Sequence, residues 1–544
     1  MRTTCERSRV QTEIHIAPSV PTDDHRLSDM ARVTSVGAPA ADGSGHRQHY
    51  NVTFALLAAA GIAYALLQSL VAPALPDIQQ ALHTSVNSVS WVLIAYLLSA
   101  SIATPLIGRL GDMYGKERLL VIVLVLLCLG TGISALATSL TVMLVGRVIQ
   151  GAAGGIFPLA FGIIRDEFPR ERVAGAIGLM SALLGVGGGA GVVLAGPVVQ
   201  HLDYHYLFWL PLILLVPTTF AIHRFVPESP IRVGGSVNWR GALLMALGLA
   251  VLLIAVSEAP VWHWLSARTL VLLAIGVVLL ALWVWSEIRS EQPLVDMRMM
   301  RIRGVWTTNA VAGLLGFGMY SSFILIPEYV ETPEHAGYGF GASVTGAGLF
   351  LVPSTLAMLL AGSQTGRLEK RFGSKPPLLA GAVFAAASYA VLAFARDERW
   401  EVYLASLLLG VGIGLAFAAM VNLIIENVGP AETGIATGMN TVTRTVGGAF
   451  GGAAVASILA ASVQDNGYPT SHGFTVAFAA CAVALVLGLL VGLGIPQRRP
   501  EQAFVAHEAG DLPDAAAPIS GNGDRESTRN GKQVRGAPSD TAAD

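Results

Sequence analysis

Charged residues are scarce in this chain of 544 residues. Asp, Glu, Lys and Arg together make up 13% of it, whereas 53% is hydrophobic and the formal net charge is only −2. A water-soluble protein of this length needs about twice that charged fraction to cover its surface. The scarcity therefore excludes a soluble globular protein and predicts an integral membrane protein, for which we expect no nucleic-acid partner.

Cysteine and lysine are also rare, which limits the cofactors that we expect. The three cysteines are Cys5 near the N-terminus and Cys128 and Cys481 in apolar runs, so neither a disulfide framework nor a cysteine-based metal cluster is predicted. No lysine follows a glycine loop as it does in the nucleotide-binding Walker A motif. We therefore expect no cofactor, no metal ion, no bound nucleotide and no catalytic residues.

The chain is rich in apolar stretches of about 20 residues, each long enough to cross roughly 30 Å of hydrocarbon as a helix. Fourteen of them occur between polar ends, so we predict an all-α integral membrane protein with fourteen transmembrane helices. Residues 1–50 and 497–544 lack apolar periodicity and are predicted to be disordered tails. The predicted spans 1 to 14 cover residues 52–72, 88–107, 119–138, 141–163, 173–198, 205–223, 240–257, 269–287, 305–327, 343–361, 377–395, 402–424, 434–460 and 473–494.

Basic residues are distributed between the connections as a membrane topology requires. If both termini are cytoplasmic, the outer connections hold only Arg268, Arg396 and Arg399, and the cytoplasmic connections and tails hold nearly all the other arginines and lysines. Such an excess of basic residues is typical of cytoplasmic loops. The preference for Arg over Lys and the abundance of Ala and Gly suggest a bacterial genome rich in GC. We therefore expect a multi-pass protein of a bacterial inner membrane with both termini cytoplasmic.

One connection is unusually rich in charge. The sequence GRLGDMYGKER, residues 108–118, follows span 2 and holds three basic and two acidic side chains. Its glycines, Gly108 and Gly115 among them, permit a tight reversal of the chain. Lys116 and Arg118 fit surface charges that fix the topology. An acid contributes nothing to that rule, so we expect Asp112 to hold a cationic partner or a helix N-terminus.

The charged stretch recurs later in the chain. GRLEKRFGSK, residues 366–375, repeats Gly, Arg and Leu, and then an aromatic residue and Gly, at the same offsets, and it also connects two predicted spans, 10 and 11. Internally repeated halves are typical of secondary transporters, in which two halves move about a central site. We therefore predict two pseudo-symmetric six-helix bundles, in residues 51–223 and 305–496, with two additional helices in residues 224–304 between them.

Four segments together resemble the major facilitator superfamily. The stretch at 108–118 is similar to its loop signature of Gly, acid, Gly and basic residues, and LVGRVIQGAAGG at 144–155 is similar to its span 4 signature. SWVLIAYLL at 90–98 and TGIATGMNTVTRTVGGAFG at 433–451 resemble the fourteen-span drug:proton antiporters in particular. The resemblance implies alternating access, with a conformational gate at Gly108, Arg109, Asp112, Gly115, Lys116 and Arg118.

The sequence departs from these antiporters at the acid that usually exchanges protons. Where span 1 of the family has that acid, this chain has Leu67, and no Asp or Glu lies at the middle of any predicted span. If protons drive transport, another group must exchange them. Glu328, at the outer end of span 9, is our first candidate, and the alternative is that it is an ordinary exposed acid. The other candidates are Asp112, Glu258 and Glu426, which also lie near span ends.

Only Arg147 and Arg444 lie deep within predicted spans. A guanidinium at mid-helix costs about 2.5–3.5 kcal/mol on insertion scales, so each should face a wet cavity or a partner rather than lipid. For Arg147 the alternative is a side chain that reaches the outer surface. We prefer a functional role, because Gln150 follows it on the path towards the cytoplasm. Arg444 and its neighbour Asn440 line either an aqueous path or a contact between helices.

Three classes of function remain open. The first is a proton-linked exporter of bulky hydrophobic drugs or antibiotics, with an apolar and aromatic substrate cavity whose walls include Trp91 and Tyr96 of span 2. The second is an uptake permease for a small metabolite. The third, a membrane receptor or enzyme, would need a catalytic cluster or a folded extramembrane domain, and the sequence contains neither. The expected partners are thus a hydrophobic small molecule, protons and the lipid bilayer.

Overall fold

The computed structural model describes residues 50–229, 236–464 and 467–496. Within these residues fourteen helices are long and apolar enough to cross a membrane, which confirms the predicted number. Two short helices, Leu75–Ala81 and Met297–Arg301, lie between spans. The predicted tails lie outside the described residues, except for Tyr50. The spans are Tyr50–Leu70, Ser88–Tyr114, Lys116–Ala135, Leu140–Glu167, Arg170–His201, Tyr206–Phe225, Trp239–Trp262, Ala267–Arg289, Arg303–Glu331, Val344–Phe372, Lys375–Phe394, Arg399–Asn427, Pro430–Ala460 and Ser471–Leu493.

Serine side chains define where several spans begin. Ser139, Ser266 and Ser343 precede spans 4, 8 and 10, and each accepts a hydrogen bond from a backbone amide in the first helical turn. These amides have no partner within the helix, so the serine hydroxyl stabilises the helix start. Inside the spans the backbone is satisfied by the helix itself, as a bilayer requires, and the apolar side chains face lipid or other helices.

Two bundles of six helices have matching contacts. Spans 1 to 6 enclose one apolar core and spans 9 to 14 another. In the first bundle span 1 packs against spans 5 and 6, span 4 against spans 2 and 3, and span 3 against span 6. In the second, span 9 packs against spans 13 and 14, span 12 against spans 10 and 11, and span 11 against span 14. When spans 9 to 14 are matched in order to spans 1 to 6, the packed helix pairs of the two bundles are the same, so the bundles are pseudo-symmetric.

The two bundles meet along two pairs of helices. Span 5 packs along span 10 and span 2 along span 13, which are equivalent pairs under the same matching. Small residues permit the close approach: a Cβ atom on Gly178 would lie 2.7 Å from the carbonyl oxygen of Gly362, and one on Gly108 would lie 2.5 Å from that of Gly434. A larger side chain at these glycines would therefore push the bundles apart.

Spans 7 and 8 lie beside this interface. Span 7 packs against span 8 and also contacts spans 2 and 13, and its side chains Met245 and Leu249 share a third apolar core with Trp283 of span 8. Span 8 leaves many large apolar side chains exposed, among them Val271 and Val277. An exposed apolar surface of this kind suits contact with lipid.

The charged stretch after span 2 is a helix end rather than a loop. The helix continues to Tyr114, so Gly108 and Asp112 are helical, and only Gly115, at φ 114°, reverses the chain. The prediction that Gly108 contributes to a tight turn is therefore wrong. The helix extends beyond its apolar part because its end is enclosed by protein: a Cβ on Gly111 would meet the Leu159 side chain at 2.2 Å.

Candidate functional site

Both ends of the membrane-spanning region lie on one face of the protein, which we call the terminal face. There Arg172, at the start of span 5, packs over the Tyr50 ring at 4.9 Å. Lys375, at the start of span 11, donates a hydrogen bond from Nζ to the Ile495 carbonyl oxygen at 2.7 Å. The charged ends of spans 2 and 10 lead into spans 3 and 11 on the same face. The terminal face therefore carries both copies of the repeated motif.

Asp112 binds the start of span 13, which belongs to the other bundle. Its carboxylate accepts hydrogen bonds from the backbone amides of Gly434 at 3.3 Å and Ile435 at 3.1 Å, in the first turn of the helix that begins at Thr433. Amides in a first turn have no partner within their helix, and the partial positive charge of the helix N-terminus favours an anion. Asp112 thus links the two bundles through a helix N-terminus.

Lys116 is fully buried, so the surface location predicted for it is wrong. Its Nζ lies 2.6 Å from Asp166 Oδ2 on span 4 and 3.8 Å from Asp112 Oδ1. The Ser229 hydroxyl donates to the same Asp166 oxygen. A lysine inside protein needs opposite charges to offset its desolvation, and here two carboxylates supply them. Lys116 therefore connects the end of span 2 to the end of span 4.

Arg118 and Gly115 meet the segment that follows span 6. Arg118 is exposed and pairs with the Glu228 carboxylate at 3.5 Å. The same carboxylate accepts hydrogen bonds from the backbone amides of Glu117 and Arg118, at 3.2 and 3.3 Å. A Cβ on Gly115 would lie 2.5 Å from it, so glycine both reverses the chain and leaves room for Glu228. Arg109 is half-buried, and its Nε has no hydrogen-bond partner among the described residues.

A second contact between the bundles, which sequence reasoning missed, involves Arg165 of span 4. Its Nη1 donates to Thr433 Oγ1 at 2.5 Å and to the Gly429 carbonyl at 3.2 Å, and its Nη2 donates to the Val428 carbonyl at 3.0 Å. Carbonyl groups at the end of a helix carry partial negative charge, which favours a cation. Together with Asp112, Arg165 holds the connection between spans 12 and 13 against the first bundle. We call the contacts of these two residues the terminal gate.

Arg147 lies in the interior of the first bundle and is fully buried. Its Nε donates to the Val92 carbonyl at 3.0 Å and its Nη1 to Gln150 Oε1 at 2.7 Å. Gln150 in turn donates to Thr131 Oγ1 at 3.1 Å, and the guanidinium lies 4.3 Å from the centre of the Tyr96 ring. Nη2 has no hydrogen-bond partner within the described residues. Arg147 thus points between spans 2 and 3 and does not reach the surface.

Arg444 lies inside span 13 of the second bundle, eleven residues after the helix begins at Thr433. Its guanidinium lies 4.3 Å from the centre of the Phe417 ring, it is 7% exposed, and no hydrogen bond or ion pair of its side chain is found in the described part of the chain. Asn440, one turn earlier, donates to Asn309 Oδ1 of span 9 at 2.9 Å. Asn440 therefore contributes to a helix contact, whereas the Arg444 guanidinium has no polar partner among the described residues.

Three tyrosines lie near the two arginines. Tyr64 of span 1 is close enough to interact electrostatically with both Arg147 and Arg444. Tyr320 of span 9 accepts a hydrogen bond across the bundles from Gln68 Nε2 at 3.5 Å. The Tyr64 and Tyr96 rings are 6.3 Å apart. We call Tyr64, Tyr96, Arg147, Tyr320 and Arg444 the central cluster.

The two aromatic residues proposed for the cavity wall differ in burial. Tyr96 is only 1% exposed and packs beneath Arg147 in the central cluster. Trp91 is half-buried and lies near the other end of the same helix from Asp112. Tyr96 is therefore at the centre of the protein, and Trp91 lies towards the face opposite the terminal face.

A comparison with known proteins identifies the family. A model of the Major Facilitator Superfamily matches residues 57–452 and also residues 309–536. The chain belongs to the major facilitator superfamily. It is 27% identical over 416 residues to the tetracenomycin C resistance and export protein of Streptomyces glaucescens, a match that covers 75% of this chain and 76% of that protein. Membership confirms the resemblance found in the motifs and makes the chain a transporter rather than an enzyme.

Other members of the superfamily are also similar to this chain, in sequence or in fold. Multidrug resistance protein Stp of Mycobacterium tuberculosis is 28% identical over 391 residues, which cover 71% of this chain and 72% of that protein. The crystal structure of the human organic anion transporter MFSD10 has the same fold, with a TM-score of 0.58 at 15% identity, over 81% of this chain and 99% of that one. The major facilitator fold therefore extends over the described spans.

Two carboxylates of this superfamily transporter differ in their surroundings. Glu328, near the end of span 9, is exposed. Glu369, which the sequence analysis did not single out, is buried at the end of span 10, where its Oε2 accepts a hydrogen bond from Asn422 Nδ2 at 2.6 Å and its Oε1 has no partner in the described residues. The same Asn422 amide lies 3.4 Å from the Ala174 carbonyl of the first bundle. Glu369 is thus beside the interface between the bundles.

Proposed function

We propose that this protein exports bulky hydrophobic drugs or antibiotics across a bacterial inner membrane by alternating access, in exchange for protons. The observation that carries the proposal is the terminal gate, in which Asp112 of one bundle binds the helix N-terminus of the other. Units in residues 51–223 and 305–496 would move against each other, with the central cluster between them. The relatives that are named for export and multidrug resistance support the substrate class.

We infer that the terminal face is cytoplasmic and that the termini lie there. The span ends and connections on this face hold Lys116, Arg118, Arg165 and the basic residues of the second repeat, whereas those on the opposite face hold few basic residues. This asymmetry fits the positive-inside rule. With the terminal gate formed, the structure would represent the state that is closed towards the cytoplasm.

Opening towards the cytoplasm would require the terminal gate to separate. Asp112 would lose its two backbone amides and Arg165 its carbonyl partners. Hydrogen bonds to a charged group contribute about 1.5–3 kcal/mol each. A few such bonds stabilise the closed state but still allow the protein to convert between the closed and open states. Lys116 would keep Asp166 as its partner, because both residues belong to the first bundle.

Glu369 is a better candidate than Glu328 for the group that exchanges protons. Glu369 is buried and its Oε1 has no hydrogen-bond partner among the described residues, whereas a charged carboxylate inside protein requires a partner. Separation of the bundles would break the contact between Asn422 and Ala174 and would admit water to Glu369, which would then release its proton to the cytoplasm. Glu328, in contrast, is exposed already in the closed state.

The experiment that tests the proposed function measures drug accumulation in bacteria that lack their own pumps. Cells that produce the protein should accumulate less of at least one compound in a panel of antibiotics and aromatic dyes, and a protonophore should abolish the difference. Cells that produce the Asp112→Asn variant at the same membrane level provide the control. Unchanged accumulation across the panel, together with increased uptake of a metabolite, would instead indicate the uptake permease.

A further inference from the structure

The interior of the described spans contains positive charge and no negative charge. Every Asp and Glu of the fourteen spans lies within about one turn of a span end, whereas Arg147 and Arg444 lie well inside spans 4 and 13. The other basic residues of the spans lie near span ends. The central section of the two bundles therefore has two guanidinium groups and no carboxylate among the described residues.

Neither guanidinium has a counter-ion among the residues that the structure describes. Arg147 contacts neutral groups, namely the Val92 carbonyl, the Gln150 amide and the Tyr96 ring, and its Nη2 has no partner in the described part of the chain. Arg444 contacts the Phe417 ring, and its buried Nε has no hydrogen-bond partner within residues 50–229, 236–464 and 467–496. A buried cation is stable only when charge and hydrogen bonds compensate for the lost water. Both guanidinium groups therefore retain donors that an anionic ligand would satisfy.

The residues near the two arginines suit an aromatic ligand. The centre of the Tyr96 ring lies 4.3 Å from the Arg147 guanidinium, and the Tyr64 ring lies 6.3 Å from that of Tyr96. Tyr64 and Tyr320 also interact electrostatically with Arg444, so tyrosine rings lie near both charges. Guanidinium groups bind carboxylate, sulfonate and phenolate oxygens through paired hydrogen bonds, and tyrosine rings pack against aromatic rings. An organic cation, in contrast, would meet two like charges and no acid.

We propose that the central cluster binds organic anions, namely aromatic compounds with a carboxylate, sulfonate or acidic phenol, whose negative group pairs with Arg444 and Arg147. This inference rests on the proposed exporter function and names the charge class of its substrate. It also assigns a specificity role to Arg444, which would discriminate anionic from cationic drugs of similar size and hydrophobicity.

The test compares two dyes that share a xanthene core and differ in charge. Binding of fluorescein, an anion, and of rhodamine 123, a cation, is measured by fluorescence anisotropy with the purified full-length protein in lipid nanodiscs. We expect fluorescein to bind at least tenfold more tightly than rhodamine 123. Arg444→Gln should weaken fluorescein binding about tenfold and remove the preference for fluorescein over rhodamine 123. Arg444→Lys should keep most of the fluorescein affinity and of that preference. Arg240→Gln, which removes an exposed arginine outside the central section, should leave both affinities unchanged.

Each outcome decides the inference. Equal affinity for the two dyes, tighter binding of rhodamine 123, absence of fluorescein binding or full fluorescein affinity in Arg444→Gln would overturn it. Size-exclusion profiles and unfolding temperatures equal to those of the wild type show that the variants are folded. If cells export drugs but the protein does not prefer fluorescein, only this inference fails. If fluorescein binds as expected but cells export nothing, the proposed export function fails instead.

Discussion

Replacing Asp112 with asparagine should open the terminal gate. Asparagine has nearly the same shape, but only one of its two polar atoms accepts hydrogen bonds, so one of the contacts with Gly434 and Ile435 is lost and the other loses its charge. A hydrogen bond to a charged group contributes about 1.5–3 kcal/mol. Taking the loss as about 2 kcal/mol, the ratio of closed to open molecules should fall about 30-fold, since 1.4 kcal/mol is a factor of ten.

The change is measured as a distance between spin labels on the two bundles. Labels are attached to cysteines introduced at Glu171 and Lys370, which are exposed at the terminal face on spans 5 and 10, in a protein whose three native cysteines are replaced. The wild type should show mainly the short distance, and Asp112→Asn should shift the population towards a longer one. The variant should also lose transport while it remains in the membrane.

A matched control is Asp77→Asn, which changes an exposed acid near the face opposite the terminal face in the same chemical way. It should change neither the distances nor transport. The reasoning would be refuted if Asp112→Asn retained the short distance and full activity. A loss of activity without any change in distance would show that Asp112 acts in some way other than closing the gate.

The remaining predictions concern the interface, the centre and the coupling acid. Gly178→Leu should prevent closure of the terminal gate, because the leucine side chain would collide with the carbonyl of Gly362. The same spin-label pair should then report a long distance, and a wild-type distance would contradict the close packing of spans 5 and 10. Arg147→Ala should abolish drug export in the cell assay at an unchanged membrane level, and normal export would show that the central cluster is not needed. Glu369→Gln should make export insensitive to an imposed pH gradient, and Glu328→Gln is the comparison. If export by Glu369→Gln still depended on the pH gradient and export by Glu328→Gln did not, the coupling role would belong to Glu328.

The number and type of the helices could be predicted from the sequence because hydrocarbon sets a minimum length of apolar residues for each crossing. The helix ends could not. Asp112 and Lys116 have the polar character of a loop, yet the helix continues through Asp112, because protein rather than lipid or water surrounds the end of span 2. Whether a charged residue faces water or protein depends on the packing of distant spans, which local composition does not contain.

The partners of the gate residues depend on contacts that are remote in sequence. The amide that Asp112 binds at Gly434 lies 322 residues away, and the acid that pairs with Lys116 lies 50 residues away. The Gly and acid pattern indicated that Asp112 holds something, but only the fold brings the start of span 13 to it. Glu369 was overlooked for the same reason, since it stands among charged residues of the second repeat, whereas its hydrogen-bond partner Asn422 belongs to span 12.

Proton-driven drug movement in liposomes tests the central claim most directly. The purified protein is reconstituted, a pH gradient with an acidic lumen is imposed, and the lumenal concentration of a drug that the cell assay identifies as a substrate is followed. Exchange predicts that the drug accumulates in the acidic lumen, that a protonophore abolishes the accumulation, and that liposomes with the Asp112→Asn variant show none. Accumulation only when the lumen is alkaline, so that drug and protons move together, would contradict the account.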